Sequence, residues 1–384
     1  MSIKTQSNIR VIAIVSDAYG GRGGIALYNQ YFLGALCKMP EVKEVIVLPR
    51  SITYDYRNVP SKIQFRIESA GNKVRFFWYC LRHLIFGRRA DLIVCSHIHL
   101  LPFAWLFKLR YQSSLLTIIY GVEAWTPTSH WLTNFLCRRL KEFISIRHLT
   151  ARRFKSWAGL SGAKYHYLPN CIDPQKYGIS EKRDDLLAQH DLIGKRVILT
   201  VGRLDSIDFD QRKGFDEVLE VLPLLRKKIS NIVYVIIGDG DDRARLEKKS
   251  RDLGVADIVR FVGFVSDKEK PDYYRLADVF AMPGSNPIFD RYPYRFVFLE
   301  ALACGVPVVG CRLEDFHEQS DLDAQNLIIQ VDPSSSMDIL RGLLLALEKP
   351  VKKINPSLSK FYVSTFESRL HLIVRLILES DRRC

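Results

Sequence analysis

Paired cysteines, long apolar runs and any surplus of positive charge in the second half are all missing from this 384-residue sequence. Its eight cysteines stand at 37, 80, 95, 137, 171, 304, 311 and 384, and no two form a Cys-x-x-Cys pair. That spacing argues against a zinc knuckle, a dithiol redox motif or a disulfide framework, and for a reducing compartment. No uncharged apolar run reaches membrane-spanning length. The best stretch, from Ile98 to Gly121, is broken by Pro102, Lys108, Arg110 and a polar patch. The first ten residues hold no apolar core of signal-peptide length, so the expectation is a cytoplasmic chain. Sequence repeats, low-complexity tracts, a Ser-His-Asp arrangement and a close carboxylate pair are also lacking.

What is present suits two globular domains: 47% hydrophobic and 26% charged residues over a length that fits two units of ordinary size. The formal net charge of +14 is unevenly placed. Residues 1–180 hold 25 Lys/Arg against 9 Asp/Glu, whereas residues 181–384 hold 31 against 33. The first half is therefore built to meet an anionic partner or surface, or else presents a solvated basic face. Two segments concentrate the charge among aromatics, residues 73–89 and 138–157, the latter with seven Lys/Arg against one Glu. Each either lies on an anionic inner membrane face or holds a lipid-diphosphate acceptor, or is an amphipathic helix packing inward. No nucleic-acid motif accompanies the charge, so nucleic acid is not an expected partner.

Short β-branched runs alternate with helical patterns. Strands are expected at 11–17, 42–49, 90–97 and 115–121, and, after a break near residues 167–178, at 195–203, 232–240, 258–264, 278–284 and 306–311. This alternation predicts parallel βαβ units in two α/β halves. The terminal stretch 358–380 reads as one or two helices. In parallel sheets ligands sit beyond the carboxyl ends of the strands, and several glycine-containing turns fall there in both halves. A cleft between the halves is the default site.

The second half carries the clearest chemistry. Arg203 follows a strand directly, and Lys213 precedes a helix beside Gly214. An Arg fork and a Lys point charge there suit a diphosphate, or are solvated surface charges. Gly238 and Gly240 allow close backbone approach. Asp239 and Asp241 match a metal-binding Asp-x-Asp tripeptide, but helix N-capping accounts for them without a metal. Phe264 stands just past a strand, where it packs beside a base or belongs to the core, and Ser266 with Glu269 makes a capping box. Pro293 opens a helix running to about residue 303. Glu300 lies on that helix among apolar neighbours, where it needs a partner: ribose hydroxyls, or an Arg such as Arg203 or Arg295.

The stretches "VGRLDS…RKGFDEVLEVL", "YVIIGDGDDRARLE", "VRFVGFVSDKE…YYRLADVFAMPG" and "VFLEALACGVPVVG" follow one another in order over residues 195–311. Together they resemble the C-terminal half of retaining glycosyltransferases with two facing Rossmann-like domains, the family 4 group that uses nucleotide-diphosphate sugars. "GGIALYNQYFLGAL", "YGVEAW" and "LPNCIDPQKY" resemble that family's first glycine-rich loop, its His-Gly-x-Glu-x-Trp stretch and its interdomain segment.

The resemblance implies an acceptor-binding domain over residues 1–172, a nucleotide-sugar-binding domain over 173–357, and C-terminal helices, 358–384, packing back on the first domain. It implies that Arg203 and Lys213 neutralise the donor diphosphate, that Phe264 and Val265 flank the base and that Glu300 holds the ribose. Gly23 and Gly24 would let backbone amides approach the phosphate, with Gly202, Gly238, Gly240 and Phe296 completing the donor set. Two positions depart from the family: Tyr292 stands where Glu contacts the donor sugar, and Tyr120 where His is usual. Asp290 is the candidate substitute carboxylate; His97, His99 and Glu123 join Tyr120 as acceptor-side candidates. The expected reaction is transfer of a sugar from a nucleotide-diphosphate sugar to an acceptor hydroxyl with retained configuration, in surface polysaccharide or lipid-linked glycan synthesis, with no metal. The rivals are a non-catalytic sugar-nucleotide-binding protein and an epimerase or phosphorylase on the same fold.

Overall fold

Runs such as Val11–Val15 and Ile232–Ile237 are apolar on both faces, which suits parallel strands covered by helices on each side. The computed structural model describes residues 8–56, 58–204, 213–284, 296–311, 328–348, 354 and 356–380. The chain divides into two compact units, residues 1–171 with 363–384, and residues 172–362.

The first unit holds seven strands: β1 (Ile9–Val15), β2 (Val42–Pro49), β3 (Ile63–Phe65), β4 (Leu92–Cys95), β5 (Ser114–Ile119), β6 (Glu142–Ser145) and β7 (Lys164–Tyr167). They pair in the order β3-β2-β1-β4-β5-β6-β7, all parallel. Five helices precede the crossover to the second unit: α1 (Gly24–Lys38), α2 (Lys73–Phe86), α3 (Leu101–Tyr111), α4 (Trp131–Cys137) and α5 (His148–Ala158). The chain winds outward from β1 to β3, then returns to β4 and winds the other way. Right-handed crossovers therefore set α1 on one face and α2 to α5 on the other. The core agrees: Phe76 of α2, Phe107 of α3, Leu136 of α4 and Phe154 of α5 pack with Ile12, Ile93 and Phe143.

The second unit begins at Ile172 and contains α6 (Asp184–Gln189), β8 (Arg196–Val201), α7 (Phe215–Lys228), β9 (Ile232–Ile237), α8 (Arg243–Asp252), β10 (Val259–Gly263), α9 (Lys270–Leu276), β11 (Val279–Met282), α10 (Phe296–Ala303), β12 (Val308–Cys311), β13 (Ile328–Val331) and α11 (Ser336–Glu348). Its parallel sheet runs β10-β9-β8-β11-β12-β13. The last helix, α12 (Val363–Ser380), returns to the first unit and packs on α1. His371 donates to the Ala35 carbonyl at 2.8 Å, and Lys38 pairs with Glu367 at 2.6 Å. That return starts at Val363 rather than at residue 358, because Leu358 and Phe361 are buried in the second unit's core.

Residues 138–157 are not a single amphipathic segment. They contain β6, an interior strand with Phe143 and Ile144 fully buried, followed by α5, whose Phe154 is buried. The apolar side chains of this stretch pack inward, but from a strand and a helix rather than from the one amphipathic helix expected. No helix among the described residues is long and apolar enough to cross a membrane.

Candidate active site

In the second sheet the winding reverses between β8 and β11, and a parallel sheet offers its ligand site at the carboxyl ends of the strands flanking such a reversal. Gly202, Arg203 and Leu204 leave β8 there. Lys213 closes back on this turn, its Nζ donating to the Arg203 carbonyl at 2.7 Å. The Arg203 side chain is exposed beside it. Gly202 makes the approach feasible, since a Cβ at that position would lie 2.7 Å from Lys213 Cδ. Gly214, at φ 89°, starts α7 with its backbone against Pro283 and Gly284, which follow β11. Gly238, at φ 133°, is pressed against the same turn: a Cβ there would fall 1.9 Å from the Gly202 oxygen. Gly240 meets the Leu204 carbonyl in the same way, at 2.1 Å. Four glycines thus let the ends of β8 and β9 and the start of α7 converge around the two cations.

Glu300, on α10, is 1% exposed. Its Oε1 accepts from Tyr177 Oη at 3.0 Å and Lys270 Nζ at 3.1 Å, and its Oε2 from Tyr274 Oη at 2.7 Å. Among the described residues its cationic partner is Lys270 of α9. Burial pulls the Lys270 ammonium down, but the carboxylates of Glu300 and Asp267 outweigh it and hold the group above its ordinary value. Burial, and then the facing carboxylate, push the Tyr274 hydroxyl well up, so it stays a neutral donor. Phe296, at the start of the described part of α10, is buried. Asp290, Tyr292, Pro293 and Arg295 lie outside the described residues.

Phe264 follows β10 and is 61% exposed, so it is not core; Val265 beside it is core. The expected capping box is present, Ser266 Oγ accepting from the Glu269 N–H at 3.3 Å and donating to its carboxylate at 2.6 Å. Neither Asp239 nor Asp241, for which N-capping was expected, is the N-cap of α8; that position is Asp242. Asp239 accepts from the Gly240 N–H, and Asp242, at the N-cap, makes no side-chain cap bond. Its carboxylate is taken by Arg245, at 2.6 and 2.7 Å, because a guanidinium fork on the same helix face satisfies both oxygens.

The first sheet reverses between β1 and β4. Gly23, at φ 107°, is the N-cap of α1 and Gly24 its first residue; a Cβ on Gly23 would meet no atom within 4 Å, so the backbone faces open space. Beneath this loop runs a buried network. Tyr120 Oη donates to Asn29 Oδ1 at 2.7 Å, and Asn29 Nδ2 donates to the Asp17 carbonyl at 2.7 Å. Burial raises the Asp17 carboxyl above its usual range. The Glu123 oxygens clamp the turn after β5, accepting from the Tyr120 and Gly121 N–H groups at 2.6 and 2.9 Å. His97 and His99 stack at 5.1 Å just past β4, and burial lowers both imidazoles, keeping them neutral at neutral pH.

Comparison with known proteins decides the family. The family model described as glycosyl transferases group 1 matches residues 182–357. A GDP-mannose-dependent alpha-(1-6)-phosphatidylinositol monomannoside mannosyltransferase of Mycobacterium tuberculosis is 36% identical over 323 residues, covering 78% of this chain and 80% of that protein. The chain belongs to the group 1 glycosyl transferases. Solved structures share the two-Rossmann-domain fold. Sucrose-phosphate synthase from Thermosynechococcus elongatus superposes with a TM-score of 0.70 at 16% identity, over 97% of this chain and 100% of that one. Anabaena HepE in complex with UDP and glucose gives 0.70 at 16%, over 96% and 99%.

In this glycosyltransferase the structure brings Lys213 to the Arg203 turn and gathers Gly202, Gly238 and Gly240 around it. It joins Tyr120 and Glu123 in one turn, with His97 at the end of the neighbouring strand. Sequence reasoning missed Asn29, Asp17, Lys270, Tyr177 and Tyr274. Asn29 left a signal: it interrupts the apolar stripe of α1 formed by Ala26, Leu33 and Leu36, and is 1% exposed. Lys270 left none, because its partner lies thirty positions away on another helix.

Proposed function

We propose that this hexosyltransferase takes mannose from a nucleoside diphosphate mannose and places it, with its anomeric configuration kept, on a hydroxyl of a lipid-linked acceptor. The observation that carries the reading is the Lys213–Arg203 turn at the reversal of the second sheet. The named activity of the mycobacterial relative supports the choice of sugar and of acceptor class.

The second unit holds the donor. As the bond to the anomeric carbon breaks, charge develops on the diphosphate, and Lys213 and Arg203 meet it. Cations fixed in place beforehand lower that barrier without reorganising. A leaving phosphate oxygen takes the acceptor's proton on the same face of the sugar, so the protein needs no nucleophile of its own. Because the two cations supply the positive charge, no metal is required. Phe264 flanks the base. Glu300 serves the ribose through the lone pairs its three internal donors leave open. The first unit receives the acceptor, with Glu123, Tyr120 and His97 around the turn after β5 and the end of β4. An anionic membrane surface brings the lipid acceptor to the enzyme.

The test is a panel of nucleotide sugars in thermal-shift and hydrolysis assays, followed by NMR of the product's anomeric proton. The expected outcome is stabilisation and slow hydrolysis of GDP-mannose, and an α-linked product from the α-linked donor. No stabilisation by any nucleotide sugar, or an inverted product, overturns the reading.

A further inference from the structure

α2 buries only Phe76 and Cys80. Four of its other apolar side chains, Val74, Phe77, Trp78 and Ile85, recur at helical spacing on the opposite side and are 45 to 63% exposed, and Phe86 at its end is 81% exposed. The neighbouring helices repeat the pattern: Leu109 of α3 is 62% exposed and Trp131 of α4 is 76% exposed. α2 contacts α3 and α3 contacts α4, so these residues share one layer on one face of the first sheet. Of the 22 large apolar side chains exposed among the described residues, ten belong to these three helices. A soluble surface rarely groups them so densely without covering them with something.

The charge around them has one sign. From Lys73 to Lys141 the sequence holds ten Lys/Arg against two acids, Asp91 and Glu123. Glu123 is spent on its own turn. Arg139 lies 4.2 Å over the ring of Phe135, and Lys108 5.4 Å from that of Trp105, so cations and aromatics are interleaved.

We propose that the outer face of α2, α3 and α4 docks on an anionic lipid bilayer. Aromatic and aliphatic side chains enter the headgroup boundary while Lys and Arg stems reach phosphates beside them. A second copy of this chain is a poor occupant, because a self-complementary contact would oppose like charges. Single-stranded nucleic acid fits less well, because half of the ten exposed side chains are aliphatic and offer no stacking face. The inference rests on the first unit alone and does not depend on the donor assignment.

The test is co-sedimentation of the full chain with phosphatidylcholine vesicles, with or without 30% phosphatidylglycerol as the stated probe composition, roughly in the range where surface charge governs binding. The expected result is binding to the anionic vesicles, weakened by salt, and a loss of roughly tenfold or more in the triple variant Trp78→Ser, Phe86→Ser, Leu109→Ser. These side chains are exposed, so an unchanged melting temperature certifies the fold. A second variant, Arg82→Glu with Arg88→Glu, is expected to lose the anionic preference. Absence of vesicle binding at low salt, or equal binding by the triple variant, overturns the proposal. So does dimerisation through this face in light scattering, or tighter binding of single-stranded RNA than of vesicles. Lipid-free hydrolysis of GDP-mannose, unchanged in both variants, separates a failure here from a failure of the donor assignment.

Discussion

Residues 1–180 carry 25 Lys/Arg against 9 acids, yet the network beneath the first sheet's reversal runs through Tyr120, Asn29 and the Asp17 carbonyl, all neutral groups. Residues 181–384 hold nearly balanced charge, yet the second sheet's reversal bears Lys213 and Arg203, and a buried ion pair joins Glu300 of α10 to Lys270 of α9. Regional net charge and site charge thus run opposite to each other. The reason is solvation. A surplus of cations is tolerated where water or headgroups meet them, as on α2 to α4, whereas a cation turned inward needs a specific acceptor. Net charge reports on surfaces; chemistry depends on where single charges are fixed.

The comparison breaks most visibly if the ionic network can be removed without loss. Lys270→Ala strands the Glu300 carboxylate and is expected to cost about 3–5 kcal/mol, read by denaturant unfolding. Lys270→Met sharpens the point through pH. The ammonium is held above its ordinary value, so its stabilisation is fully present below about pH 10.4 and is lost as pH rises through the folded value. The stability gap between wild type and Lys270→Met should therefore narrow only at alkaline pH.

Next in size, Lys213→Ala is expected to lower kcat about 10²–10³-fold in glycosyl transfer with little change in melting temperature. An active Lys213→Ala would remove the distinction between the two reversals. Tyr120→Phe, in the neutral network, leaves the Asn29 acceptor buried and should cost about 1–3 kcal/mol of stability while leaving donor hydrolysis intact. A collapse of hydrolysis in that variant would mean that the first unit shares the donor chemistry. Smallest of all is the response to EDTA: if the two cations carry the leaving charge, chelation leaves turnover unchanged.

Much of the architecture was legible along the chain. The strand 42–49 matches β2 to the residue, and the other expected strands overlap β1, β4, β5 and β8 to β12. Four strands escaped. β3, β7 and β13 are sheet edges of three or four residues, too short for a pattern, and β7 reads Lys-Tyr-His-Tyr. β6 is interior, but its Phe-Ile core is hidden between basic residues that belong to the flanking turn and to α5.

The chain's own order of residues determined the parallel α/β plan, the glycine turns after β8 and β9, the cations Arg203 and Lys213, and the basic first half, because each is written in local periodicity or composition. Only the tertiary structure decided that Glu300 is held by Lys270 and two tyrosines, that Tyr120 is committed to Asn29, and that residues 73–89 turn their apolar stripe outward while 138–157 bury theirs. Such choices depend on which distant side chains meet once the sheets close, and burial converts those meetings into energies that no local pattern records.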